Sequence, residues 1–223
     1  MRLKLIACSV FLREISELVA VSPNRVDPVF FELGRHEKPD ELRAEIQAEL
    51  DRTKGEYDAV ALLFGLCGNT AAGLRSDTYA LVIPRAHDCA LLLLGNRSVH
   101  QEHFGANPSR SYDCIGYLER RRNLEAAEYE AHVKAFGREE ADFLREQLHG
   151  KENEAERIFI VTPPCSVLPL QRPPEIRYRD VAGDMRLLKM LIDGDWPDAE
   201  FLVVPPGKKI KATYDLDRVM EAE

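Results

Sequence analysis

The chain has 223 residues, 45% hydrophobic and 30% charged, with a formal net charge of -8. That composition belongs to a globular protein long enough to bury a core. The acidic balance argues against wholesale binding of a phosphate backbone, so nucleic acid is not an expected partner; Arg120-Arg121-Arg122, the only basic run, leaves room for a local basic patch.

The first segment, MRLKLIACSVFLRE, is apolar but short, and Lys4 and Arg13 interrupt it. It is expected to be neither a signal peptide nor a membrane span, and no other segment reaches the roughly 18 apolar residues a span needs. A cytoplasmic chain is therefore expected. Its five cysteines are then reduced thiols and not a disulfide framework.

Leu3 to Phe11 is a continuous apolar run, the pattern of a buried parallel strand. A short helix follows at Arg13 to Val19, then a turn at Ser22-Pro23-Asn24. Pro28 to Leu33 is a second strand, stopped by Gly34. Pro39 opens a helix whose Leu42, Ile46 and Leu50 share one face, and Asp40 and Glu41 suit its N-terminal dipole. Tyr57 to Gly65 is a third strand leading into the Gly-punctuated turn LCGNTAAGL. Tyr79 to Arg85 is a fourth, followed at once by His87-Asp88-Cys89 and a helix start in ALLLLG. A short helix is expected at SVHQEHFG and a loop at Asn107-Pro108-Ser109.

Leu124 to Leu148 is a charged helical pattern with Tyr129, Val133, Phe136, Phe143 and Leu148 as its apolar stripe and Gly137 as a break point. Arg157 to Pro164 is a fifth strand and Glu175 to Val181 a sixth. Asp184 caps a helix ending at Gly194, and AEFLVVPPG and IKATYD close the sheet. Strands alternating with helices define an α/β fold. The expected architecture is a mainly parallel sheet flanked by helices, three-layer and Rossmann-like. It forms a single domain over residues 1–223, with a charged helical insertion at 120–150.

The reactive side chains follow the strands. Cys8 lies toward the end of strand one, His36 past strand two, Cys67 past strand three, His87 and Cys89 past strand four, and Cys165 past strand five. In one parallel sheet those ends share an edge, and open α/β sheets bind ligands there. Cys114 sits beside Asp113 in a loop and reads as incidental. His100, His103, His132 and His149 lie on polar stretches and read as solvated.

Thiolates and imidazole together suit zinc, iron or an iron–sulfur cluster. The expected ligands are Cys67, His87 and Cys89, completed from Cys8, His36 and Cys165. Three protein ligands leave one position open for chemistry. Asp88 and Arg85 are the candidates to orient ligands or meet an anionic substrate. Gly65, Gly68 and Asn69, in the turn around Cys67, are the backbone positions a cofactor would approach. The chain contains no GxGxxG and no GxxxxGK[ST], so no nucleotide loop is expected. A His-x-Cys pair followed, after a 75-residue spacer, by a third Cys is similar to the zinc motif of corrinoid:thiol methyltransferases. Those are TIM barrels, for which this chain is short. A metal-free site stays open, with Cys67 or Cys89 as nucleophile and His87 as base.

LIACSVFLRE, GRHEKPDELRAEIQ, YDAVALLFGLCGN, LVIPRAHDC followed by LLLLG, and DGDWPDAEFLVVPPG together resemble the prokaryotic family catalogued as domain of unknown function 1638. The resemblance runs from about Arg2 to Tyr214. It implies that Cys8, His36, Cys67, Arg85 and His87-Asp88-Cys89 are the family's recurring positions. PSRSYDCIGYLE departs from the family's usual string and leaves Cys114 without that support. The resemblance also implies company with corrinoid-dependent methyl transfer. The expected activity is thus metal-dependent methyl or one-carbon transfer on a small molecule, with a corrinoid protein as partner and no membrane. A non-catalytic metal- or cofactor-binding accessory and a metal-free Cys/His hydrolase or transferase remain alternatives. Homo-oligomerisation stays open.

Overall fold

The computed structural model describes residues 1–34, 38–66, 69–152, 156–167, 172–174, 176–213, 215 and 218–223. Its central sheet has five strands in the order β2-β1-β3-β4-β8. These are β1 (Arg2–Cys8), β2 (Arg25–Phe31), β3 (Ala59–Leu63), β4 (Leu81–Pro84) and β8 (Phe201–Val204). The first four are parallel, and β8 closes the sheet antiparallel to β4. Pro28 lies in β2, at the edge, where its missing N–H leaves no gap in the ladder.

Every residue of β3 and of β4 is buried, which explains why both read as unbroken apolar runs. The alternation of side chains divides them between two cores. Leu3, Leu5, Ala7, Ala61, Leu63 and Val82 face one side, with Ile15 and Leu18 of α1 (Leu12–Val21). Leu91 to Leu94 of α3 (Cys89–Leu94) and Leu187, Leu188, Leu191 and Ile192 of α7 (Arg186–Asp193) join them. Ile6, Val60, Leu62 and Ile83 face the other side, against Leu42, Ile46 and Leu50 of α2 (Pro39–Arg52). The fold is α/β, with helices on both faces of a mostly parallel sheet. No helix among the described residues is long and apolar enough to cross a membrane.

The fifth and sixth strands depart from the expectation of one sheet. β5 (Tyr112–Asp113), β6 (Arg157–Val161) and β7 (Tyr178–Ala182) form a separate parallel three-stranded sheet. Its Ile158, Ile160 and Val181 join the α1–α3–α7 core. Arg157 and Asp113 are paired inside it at 3.3 Å, with 3% and 0% of their side-chain surfaces exposed, and the Tyr178 hydroxyl donates to the same carboxylate at 2.7 Å. The closing segment also differs: β9 (Ile210–Ala212) pairs antiparallel with β10 (Met220–Ala222), outside the central sheet.

The charged stretch forms two helices, α5 (Ile115–Phe136) and α6 (Arg138–Glu152), separated by Gly137 at φ 88°. Phe136 and Phe143 are exposed, so the expected apolar stripe is not a buried one at those two positions. The start of α5 is seated by Gly116, where a Cβ would stand 1.8 Å from the Val10 carbonyl oxygen. Only a glycine allows this approach. Arg13 of α1 clasps Glu119 with donor distances of 2.7 and 3.0 Å and holds the same contact.

Candidate functional site

In the central sheet the chain leaves β1 for β2 on one side and returns to β3 on the other. The connecting helices α1 and α2 accordingly lie on opposite faces. At such a switch point the two crossovers part and open a crevice at the carboxyl ends of the strands. A cavity of about 330 Å³ occupies that place. Cys8 ends β1, Phe31 ends β2 with Glu32 after it, and Phe64 and Gly65 follow β3; all line the cavity. Thr70, Leu42 of α2, Cys89 of α3, Tyr112 of β5 and Tyr117 of α5 complete its wall.

Each wall residue is fixed by local structure. The backbone turns into a 3-10 helix at Ser9–Phe11 directly after Cys8, and the Ser9 hydroxyl accepts from the Leu33 N–H at 3.1 Å, tying the ends of β1 and β2 together. Gly65 passes so close to Asp88 that a Cβ would meet its Cα and carbonyl carbon at 2.7 Å. The Leu66 N–H donates to the Ala86 carbonyl at 2.9 Å, joining the loops after β3 and β4. The glycine serves this close approach and not a left-handed turn. Asn69 does adopt φ 65°, and its carbonyl accepts from Arg43 at 2.9 Å.

Asp88 caps α3 by accepting from the Leu91 N–H at 2.9 Å, which sets Cys89 as the first helical residue, 8% exposed and facing the cavity. His100 of α4 (Arg97–Phe104) lies 3.1 Å from the other Asp88 oxygen. Burial works against charge on Asp88, but the bonds from His100 and Leu91 outweigh it and hold the carboxyl below its ordinary range. Asp88 is thus an ionised anchor at working pH. His100 also stacks on Phe104 at 4.9 Å and is half-buried, where it had been expected in solvent.

The phenols make a second array. Tyr112 and Tyr117 meet edge to face at 5.6 Å with hydroxyls 3.5 Å apart. Burial raises both pKa values, and the nearby Cys89 sulfur adds to the effect, so both remain neutral O–H groups. Sequence reasoning missed them. A two-residue strand offers no periodicity, and the one available signal was a pair of tyrosines flanking Asp113 to Gly116.

The other expected site residues fall elsewhere. His87 is exposed and does not line the cavity, although Cys89 two residues on does. Arg85 is buried and donates to the carbonyls of Asp198, Arg218 and Met220 and to the Asp198 carboxylate, so it fastens the C-terminal segment. The expectation that it meets an anionic substrate gives way to that role. Cys165 does not line the cavity; it packs with Ile115 and Phe159. Cys114 is fully buried, and burial keeps its thiol protonated. His36, Cys67 and Gly68 lie outside the described residues. Among the described residues, no group of three or more His, Cys, Asp and Glu is placed to hold a metal ion. The donor chemistry of the wall nonetheless fits a soft metal in part, because two thiols line one cavity.

One buried carboxyl lies apart. Glu14 of α1 is fully buried, accepts from the Thr162 hydroxyl at 2.7 Å and has no bond at Oε2. Burial raises its pKa. A raised folded-state pKa gives a contribution present below the unfolded value, about 4.3 for Glu, and lost as pH rises through the folded value. Replacing Glu14 by Gln should therefore flatten this fall. The stability of wild type relative to Glu14→Gln, followed by urea unfolding, should decline as pH rises from about 4. A difference constant with pH would contradict the assignment.

Fold and cavity define a class: an α/β protein with a small thiol- and phenol-lined pocket at a sheet switch point. The family described as protein of unknown function (DUF1638) matches residues 30–165, and the chain belongs to it. No curated protein and no solved structure matches the chain.

Proposed function

We propose that this protein is a cytoplasmic, metal-dependent group-transfer enzyme that moves a methyl or other one-carbon unit. The observation that supports this reading is the arrival of Cys8 and Cys89, from two different strand ends, at one cavity of about 330 Å³. Cys8 and Cys89 would hold the ion, with Cys67 or His36 as further ligands. A zinc or iron ion so held would lower the pKa of an incoming thiol or water. In the transfer, the bond from carbon to the donor heteroatom would break with its electron pair left on the heteroatom, and carbon would bond through the acceptor's electron pair to a thiol or amine, which releases its proton to water, or to a reduced corrinoid.

The chain's own residues supply the setting. Asp88 and His100 fix the start of α3 and hence Cys89. Tyr112 and Tyr117 present neutral hydroxyls, and Phe31, Phe64 and Leu42 keep water out. The cavity is at the small end of ligand pockets, about 300–1,000 Å³. It suits a small molecule and not a corrin ring, so a corrinoid would arrive on a partner protein. A metal-free reading draws on the lack of a three-ligand group among the described residues. Cys8 or Cys89 would then be a nucleophile.

Metal analysis of protein purified without chelator separates these. About one zinc or iron per chain is expected, lost in Cys8→Ser and Cys89→Ser and kept in Cys165→Ser. Folded, metal-free wild type in which one cavity thiol alone reacts with iodoacetamide would favour the metal-free reading and defeat the first.

A further inference from the structure

We propose that the cavity is a cage for a methylated ammonium group, so that the small molecule it takes is a quaternary or tertiary amine. Two aromatic pairs enter it from opposite sides of the sheet. Phe31 and Phe64, 6.5 Å apart and inclined at 60°, belong with the core on the α2 face. Tyr112 and Tyr117, 5.6 Å apart and at 87°, belong with the core on the α1 face. Cys8, at the end of the strand between them, touches both cores. A ligand seated beyond Cys8 thus has aromatic rings on two sides. Crossed rings present faces and edges in different directions, and the faces attract a cation whose charge is spread over methyl groups.

The charge on the described wall of the cavity has the matching sign. Among the described wall residues there is no Lys, Arg or His, and Glu32 stands at the exposed mouth. Arg85, the one buried cation of the β4 end, is turned to the C-terminal segment. A carboxylate or phosphate entering here would lose its hydration with only neutral hydroxyls in return, next to thiols and a carboxylate. A methylated ammonium is weakly hydrated, carries no N–H that must be matched when quaternary, and meets ring faces and Glu32. Two thiolates around a divalent ion would leave the site neutral, which does not oppose a cation.

This names the substrate class of the site proposed above and rests on that reading for its catalytic meaning; binding itself can be measured without it. Choline and 3,3-dimethyl-1-butanol have nearly the same shape and differ in charge. Calorimetric titration of the wild-type protein should show choline binding at least about tenfold tighter, with propionate not binding. Phe64→Leu and Glu32→Gln should each shrink that ratio several-fold, and Glu32→Gln, being at an exposed position, leaves the fold as a control. Equal affinity for choline and its neutral analogue, no binding of either, preference for propionate, or a ratio unmoved by both variants overturns the cage. Metal content measured on the same samples keeps the two readings apart. A lost choline preference with metal retained defeats the cage alone, and a retained preference without metal defeats the metal reading alone.

Discussion

Gly116→Ala should destabilise the protein by about 3 kcal/mol or more, beyond the usual range for overpacking because the obstacle is backbone. The added Cβ would lie 1.8 Å from the Val10 carbonyl oxygen and under 3 Å from two further backbone atoms of the same residue. No side chain can swing aside to relieve this. Either α5 lifts from the Ser9–Phe11 turn or the turn itself moves. Both motions disturb the site, since the turn follows Cys8 directly and Tyr117 follows Gly116. Chemical denaturation reports the stability, and intrinsic tyrosine fluorescence, read as the difference from Tyr117→Phe because the chain has seven tyrosines, reports the displacement of Tyr117. A variant within about 0.5 kcal/mol of wild type, with unchanged fluorescence, would show that the close approach is not what seats the helix.

Arg157→Met should cost about 3–5 kcal/mol, the range for removing one partner of a buried pair. The loss would come from Asp113, whose carboxylate would stay at 0% exposure with Tyr178 but without the guanidinium. Adding Asp113→Asn should restore much of the stability, because the double variant buries no charge. Because β5 carries both Asp113 and Tyr112, the single variant should also loosen the phenol wall of the cavity. Urea unfolding of the two single variants and the double variant measures the coupling. Additive losses would mean that the pair does not act as a unit.

The central sheet was legible in the sequence because its strands are buried on both faces. Continuous apolar runs at Leu3, Tyr57 and Tyr79 marked β1, β3 and β4, and four-residue spacing of Leu42, Ile46 and Leu50 marked α2. That reading put Cys8 at the edge where the cavity lies. Partnership between strands was not legible. RIFIV has the same apolar character as the central strands, yet β6 pairs with β5 and β7, and Cys165 after it packs with Ile115 and Phe159 and not at the cavity.

Within His87-Asp88-Cys89 the residue types were informative and their directions were not. The strand-to-helix turn exposes His87, spends Asp88 on the cap and turns Cys89 inward. His100 looked solvated on a polar stretch. It meets Asp88 because α3 is only six residues long and the next helix returns at once. The tyrosines were invisible for a related reason. Their place depends on β5 joining a distant strand and on Gly116 admitting α5, both non-local facts.

The central claim is that cavity cysteines hold a metal ion. X-ray absorption on the protein as purified, or after zinc is added at one equivalent, tests it at the level of the bonds. Two or more sulfur neighbours at about 2.3 Å from zinc are expected, with the same number in Cys165→Ser; Cys8→Ser and Cys89→Ser, which lose the metal on purification, should show one sulfur neighbour fewer once zinc is added back. A metal surrounded by nitrogen and oxygen alone, or sulfur neighbours that persist in both cavity variants, would contradict the account.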